Sequence, residues 1–207
     1  MSSILKNVFT TEEVSEIKNQ INFIVNTKHV EMENQNVFDP EPMVQYSYLN
    51  QGRRDTYGIS FSPKIVQKIT KIANELLEDG SESVNLTEVQ YTEYSGDMKG
   101  NPSLGIHFDG GKDCNMILDY QLESNISWGI GIDEDVYTLK DNELLLLNPV
   151  TKIHYRPNKK FNSGDLTRMI FFKFSAGEGN FFSPVISKEK MKKIEFVFNN
   201  YYLKESD

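Results

Sequence analysis

Val14, Ile17, Ile21 and Ile24 recur at helical spacing directly behind Thr10-Thr11-Glu12-Glu13. A threonine followed three positions later by a glutamate resembles a capping box, in which each side chain satisfies a backbone N–H of the first turn. A second helix is expected from Ser62-Pro63, with proline at the first helical position. Val66, Ile69, Ile72, Ala73, Leu76 and Leu77 form its buried stripe, and Asp79-Gly80 ends it. A third helix should follow Ser187 and carry Met191, Ile194, Phe198 and Tyr201. Between the second and third helices the signal changes to short strands, at 86–94, 103–109, 114–122, 127–132, 135–139, 143–147, 150–156 and 167–175. Repeated short strands flanked by helices, without β-α-β alternation, predict an antiparallel sandwich with helical cover rather than a parallel doubly wound sheet. The segment 28–58 is polar and mixed, and Asp39-Pro40-Glu41-Pro42 and Gly52-Arg53-Arg54 read as loops.

A chain of 207 residues with 38% hydrophobic positions suits a single domain with a substantial core. Its expected parts are a helical region over about 1–80, a β core over about 84–176 and a C-terminal helix over about 187–203. No apolar run reaches the roughly 18 residues that a membrane span needs, and the start MSSILKNVFTTEEV has no basic region followed by an apolar one. The single cysteine, Cys114, excludes an internal disulfide and is expected as a small buried residue of an apolar strand. These features together give a cytoplasmic expectation. The net charge of -8 argues against a protein that coats nucleic acid through phosphate contacts. Between 150 and 173, however, Lys152, Arg156, Lys159, Lys160, Arg168 and Lys173 face only Asp165. That basic island suits either a solvated face or a surface that attracts an anionic ligand.

Chemistry concentrates at His107-Phe108-Asp109, with His154 and Arg168 downstream; two of the chain's three histidines belong to this set. In an extended segment, residues at i and i+2 point the same way, so His107 and Asp109 can grip one metal while Phe108 points away. Gly110-Gly111 then turns the chain. Two imidazoles and a carboxylate can occupy one face of an octahedral iron and leave the other positions open. His29 reads as a loop residue, Trp128 as a packing residue of a strand with Gly129 and Gly131 beside it, and Tyr91 as a core aromatic. Arg156 suits either a substrate mouth or a structural ion pair.

Over roughly residues 86–175 the order of these features resembles the 2-oxoglutarate- and Fe(II)-dependent dioxygenases, nearest to their prolyl 4-hydroxylase-like branch. Tyr91, Tyr94 and Gly96 precede His107-x-Asp109; Trp128 and the strand ending at Leu147 follow; His154-Tyr155-Arg156-Pro157 is similar to the family's "H-W-R" context; Arg168 begins an apolar last strand. The resemblance implies a double-stranded β-helix, a cupin-like jelly roll with the metal near one mouth. It implies that His107, Asp109 and His154 hold Fe(II), and that Arg168 pairs with the distal carboxylate of 2-oxoglutarate. Tyr94 and Tyr120 are its candidates for a second hydrogen bond there, and ascorbate is a possible accompanying reductant. Two features depart from the family pattern. The polar hairpin Asn158–Gly164 lengthens the interval from His154 to Arg168, and Ile170 stands where a serine or threonine is usual. The implied reaction is hydroxylation of a protein side chain, prolyl-type, or of a small molecule, with release of succinate and CO2. Oxidation of a nucleic acid ranks lower because of the charge. A cupin-like metal-binding module without catalysis also ranks lower, since such folds usually offer more histidines than two.

Overall fold

The computed structural model describes residues 4–35, 46–49, 52–77, 81–98, 100–108, 114, 116–157, 159–176 and 188–202, without the side chains of 27–35, 46–49, 188–190 and 201–202. In chain order the first elements are β1 (Ile4–Lys6), α1 (Thr11–Gln35), β2 (Tyr46–Leu49), β3 (Arg53–Tyr57), α2 (Pro63–Glu75) and β4 (Val84–Ser95). Then come β5 (Leu104–His107), β6 (Met116–Ser124), β7 (Ile130–Ile132), β8 (Asp135–Tyr137), β9 (Glu143–Leu147), β10 (His154–Arg156) and β11 (Leu166–Ala176). Helix α3 (Lys188–Val197) closes the series and runs into a π-helical turn, Phe198–Tyr202.

The strands form two antiparallel sheets. The larger has the order β1-β9-β6-β11-β4-β3-β2 and the smaller the order β5-β10-β7-β8. From β4 onward the chain passes from one sheet to the other and back, pausing in the smaller sheet only for the β7–β8 hairpin. Ile117, Leu145 and Leu147 of the larger sheet pack against Ile130 and Ile132 of the smaller, so the two sheets face each other. This is the jelly roll that the short-strand pattern and the family resemblance lead one to expect.

Alternation along each strand decides which side chains see which layer. On β11, Ile170, Phe172 and Phe174 join Ile17 and Ile21 of α1 and Ile65, Ile69 and Ala73 of α2 in one core. Met169 and Phe171 instead face the space between the sheets. On β10 and β5 and directly beside them, the outward positions Ile153, Tyr155, Ile106 and Phe108 are covered by Ile194 and Val197 of α3. Gly131 lies under the Tyr155 ring, where a Cβ would come within 2.2 Å of it. Only glycine lets the two strands keep this contact.

The first turn of α1 is held as its sequence suggests. Glu13 accepts from the Thr10 N–H at 2.9 Å, and the Glu13 N–H donates to the Thr10 hydroxyl at 3.3 Å. Lys64 and Lys68 of α2 pair with the same carboxylate at 3.2 and 2.6 Å, tying the two helices together. The Lys68 ammonium, helped by the Thr10 N–H, holds Glu13 at about 2, below its ordinary 4.5. A depressed carboxylate contributes stability that is present above its ordinary pKa and is lost as pH falls through its folded one. Wild type should therefore exceed Glu13→Gln by on the order of 1–2 kcal/mol at pH 7, after allowance for solvent screening. Urea melts should show that margin shrinking between pH 4.5 and 2; an unchanged margin at pH 2 would contradict the assignment.

Three elements fall where no strand is expected from the sequence. β1 pairs along the edge of β9, and β2 and β3 extend the sheet beyond β4 within the polar segment 28–58. The β3 sequence RRDTY has no apolar alternation because its neighbours on the sheet are polar too: Arg53 pairs with Asp55, and Arg54 with Glu93 of β4. Arg53-Arg54 thus opens a strand rather than a loop, and His29 falls within α1. The second helix ends at Glu75, and Asp79-Gly80 lies outside the described residues. Among the described residues no helix is long and apolar enough to cross a membrane.

Candidate functional site

Strands β5 and β10 run antiparallel with His107 and His154 as direct register partners. Their flanking residues point outward to α3, so alternation turns both imidazoles inward. The ring centroids lie 4.0 Å apart with the planes tilted by 54°. Each ring is steadied from its own strand: His107 Nδ1 is 2.7 Å from the Gly105 carbonyl and His154 Nδ1 is 3.3 Å from that of Lys152. When Nδ1 donates to a carbonyl, the tautomer is set and the lone pair resides on Nε2, as metal-binding histidines require. The donor set therefore fits a divalent iron. Asp109, the third expected ligand, lies outside the described residues. Among the described residues no three His, Cys, Asp or Glu side chains converge.

Deeper between the sheets, two positions along β10 on the same face, lies Arg156, 1% exposed. At a strand rise of about 3.3 Å per residue, its Cα is roughly 6–7 Å from that of His154. Its Nη2 donates to Asp119 Oδ2 at 3.2 Å and lies 3.2 Å from Met169 Sδ, while Nη1 reaches the Trp128 carbonyl at 3.4 Å. The guanidinium also sits 5.1 Å over the Trp128 ring. Among the described residues, three buried polar atoms here have no hydrogen-bond partner: Arg156 Nε, Asp119 Oδ1 and the Tyr94 hydroxyl. Burial pushes the Asp119 carboxyl up, against the downward pull of Arg156 and His154, and burial likewise raises the Tyr94 phenol.

Aromatic packing closes the chamber floor. Trp128 meets Tyr94 edge-on at 4.7 Å and Phe161 at 5.2 Å, and its Nε1 donates to the Pro157 carbonyl at 2.9 Å. Trp128 is thus the packing residue that its sequence context suggests. On the wall toward β3, Arg53 lies 5.5 Å over the Tyr94 ring and is held by Asp55, which also accepts from Thr92 at 2.6 Å.

The expected cosubstrate residues do not all reach this chamber. Arg168 shares the face of β11 that carries Ile170 and Phe172, which is the face turned to the helices. There it donates to Glu93 at 2.8 Å and Glu123 at 2.7 Å, and Glu123 also pairs with Lys18 of α1. Its positive charge is thereby matched by two carboxylates on the wrong side of the sheet for a ligand between the sheets. Tyr120 also faces the helices, edge-on to Phe9 at 5.0 Å, with its hydroxyl donating to Asn142 at 3.2 Å. Tyr91 is on that face as well and donates to Glu93 at 2.6 Å. Of the three expected cosubstrate residues, Tyr94 alone points inward.

Sequence reasoning missed Asp119. Its one signal is an acid directly behind the apolar run Met116-Ile117-Leu118. Arg156 proves to be ion-paired, which is one of the two readings it allowed. Four of the six basic residues of the island are ion-paired in the fold: Lys152 with Asp133, Arg156 with Asp119, Arg168 with Glu93 and Glu123, and Lys173 with Glu88.

No family model matches this sequence, and no curated protein matches it. Solved structures do match the fold. A 2OG-Fe(II) oxygenase family oxidoreductase from Burkholderia pseudomallei superposes with a TM-score of 0.58 at 9% identity, covering 86% of this chain and 85% of the other. HygX from Streptomyces hygroscopicus, solved with nickel, 2-oxoglutarate and hygromycin B bound, gives a TM-score of 0.54 at 11% identity over 88% and 84%. A prolyl hydroxylase from Trichoplax adhaerens, in complex with a hypoxia inducible factor oxygen degradation domain peptide fragment, gives 0.51 at 14% identity over 84% and 83%. At these identities the likeness establishes a shared fold.

Proposed function

We propose that this chain is a 2-oxoglutarate- and Fe(II)-dependent oxygenase that hydroxylates a peptide side chain or a small molecule. The observation that carries the reading is the inward-facing pair His107 and His154, register partners with each Nδ1 tied to a strand carbonyl. Together with Asp109 they would hold the iron through two nitrogens and a carboxylate. Iron, 2-oxoglutarate and dioxygen supply the oxidising power that places a hydroxyl on a substrate C–H bond, with succinate and CO2 as coproducts. The chain's own part is to orient and to exclude water. The carbonyls of Gly105 and Lys152 fix the two rings, and Ile117, Ile130, Ile132 and Leu147 keep the neighbouring interior dry.

A peptide or small-molecule substrate is favoured over a nucleic acid because Lys152, Arg156, Arg168 and Lys173 are matched by acids, and the chain as a whole carries -8. Neighbours of the same fold bound to a peptide fragment and to hygromycin B support both favoured classes. The single cysteine is compatible with a cytoplasmic site of action. The test is succinate formation with Fe(II), 2-oxoglutarate and ascorbate across peptides, amino acids, small molecules and oligonucleotides. Iron-dependent succinate coupled to a hydroxylated peptide or small molecule is the expected result. Coupling only to oligonucleotides would overturn the substrate class, and no iron-dependent succinate from any of them would overturn the oxygenase.

A further inference from the structure

We infer that the far carboxylate of the cosubstrate is received by Arg156 and Tyr94, from the strand of the second histidine and the strand opposite, and not by Arg168 on the last strand. This rests on the proposed oxygenase reading and assigns its anion site to different residues.

Three observations converge. Arg156 shares its strand and its face with His154, two residues deeper, so a dicarboxylic acid bound at the histidines would extend toward it. The roughly 6–7 Å between the two Cα positions is close to the length of a five-carbon diacid. Secondly, the buried guanidinium is under-satisfied. Its Asp119 contact is single-pronged at 3.2 Å, the Trp128 carbonyl lies at 3.4 Å, and Nε has no hydrogen-bond partner among the described residues. Leaving a charged donor buried and unmet is costly, and a carboxylate accepting from Nε would remove that cost. Thirdly, the Tyr94 hydroxyl is fully buried without a hydrogen-bond partner among the described residues, and both Arg156 and Asp119 act on it electrostatically. A phenol O–H is the second donor that a carboxylate bound there would need.

Among the described residues, the neighbouring cations Arg53, Lys173 and Arg168 are already committed. Arg53 grips Asp55 at two points, both 2.9 Å, and Lys173 pairs with Glu88 at 2.5 Å. Arg168 faces the helices and spends its fork on Glu93 and Glu123. Among the described residues, Asp119 is the charged partner of Arg156. It accepts through Oδ2 alone, which leaves the Nε edge of the guanidinium for a second carboxylate.

Trp128 makes the test direct. It is the sole tryptophan of the chain, and its ring lies under the Arg156 guanidinium. The full chain, loaded with Mn(II) as a redox-silent substitute, is titrated with 2-oxoglutarate while tryptophan emission and heat are recorded. Manganese occupancy is read separately by electron paramagnetic resonance. Arg168→Leu should bind within about threefold of wild type. Arg156→Lys, which keeps the charge but loses the Nε edge, should weaken binding roughly 10- to 100-fold with manganese still held. Tyr94→Phe keeps the aromatic packing and removes only the hydroxyl, so it tests the site even if Arg156→Lys does not fold; about 5- to 30-fold weakening is expected. Wild-type affinity in Tyr94→Phe or in a folded Arg156→Lys overturns the inference, as does loss of binding in Arg168→Leu. In those cases the oxygenase reading stands and the anchor lies elsewhere. If wild type holds manganese and 2-oxoglutarate neither binds nor alters Trp128 emission, the inference and the cosubstrate assignment fall together.

Discussion

Alanine in place of His107 or His154 is expected to abolish iron-dependent turnover while the chain stays folded. Neither imidazole belongs to an apolar core; both lie at the inner rim of the smaller sheet, and backbone pairing of β5 with β10 sets their register independently of the rings. Loss of a group that merely orients a ligand typically costs about 10- to 100-fold in metal affinity or activity, so loss of a ligand itself should cost at least about 100-fold. Three readouts separate the causes: manganese binding by paramagnetic resonance, succinate formation, and thermal unfolding by circular dichroism. Metal binding and turnover should fall together, with the melting temperature of metal-free protein nearly unchanged. Iron-dependent activity retained in both variants would remove these histidines from the centre. A melting temperature that collapses in step with activity would instead make them structural.

The second large effect is on stability, and it comes from Asp119→Ala. Asp119 and Arg156 are 0% and 1% exposed, and this carboxylate is the guanidinium's one charged partner among the described residues. Deleting one member of such a pair leaves an uncompensated charge in a dry interior, which costs about 3–5 kcal/mol. That is a large share of the 5–15 kcal/mol typical of a folded domain, so urea denaturation should show a much lower midpoint. Replacing both members with apolar residues of similar size, Asp119→Leu with Arg156→Met, should cost far less, because no charge is then stranded. Asp135→Ala, at an exposed position of β8, serves as the control and should stay within about 0.5 kcal/mol. A loss below about 1 kcal/mol in Asp119→Ala would mean that the guanidinium finds water or another acceptor. Addition of 2-oxoglutarate should stabilise Asp119→Ala, since a ligand bound to the folded state alone shifts the unfolding equilibrium.

The residues differ in how far the sequence could place them, and the reason is the range of the interactions involved. The capping box at Thr10 and Glu13 closes within one helical turn, so its residues announce it. The same holds for the inward pairing of His107 and the outward turn of Phe108, a consequence of strand alternation over adjacent positions. β3 was hidden for the opposite reason. Its residues Arg53, Arg54 and Asp55 find their partners in Asp55, Glu93 and Thr92, two of which belong to another strand. A polar strand satisfied by polar neighbours carries no hydrophobic rhythm to detect.

Arg168 shows where local pattern and tertiary structure part. An arginine at the head of an apolar strand is legible, but a strand has two faces, and both of β11's are covered. Residues 167 to 174 read TRMIFFKF, nearly apolar on both parities, so periodicity cannot say which face holds the helices and which holds the chamber. The choice is made by α1 and α2 packing on Ile170, Phe172 and Phe174, and by Glu93 and Glu123 arriving from β4 and β6 beside Arg168. The sequence alone determined the short-strand architecture, the helix starts and a histidine pair suited to a metal, because those follow from spacing and side-chain chemistry within a few residues. Tertiary structure decided that Arg156, Asp119 and Tyr94 meet in one buried chamber while Arg168 and Tyr120 turn away from it. Register between strands distant in sequence sets which faces oppose, and no short window of residues contains that information.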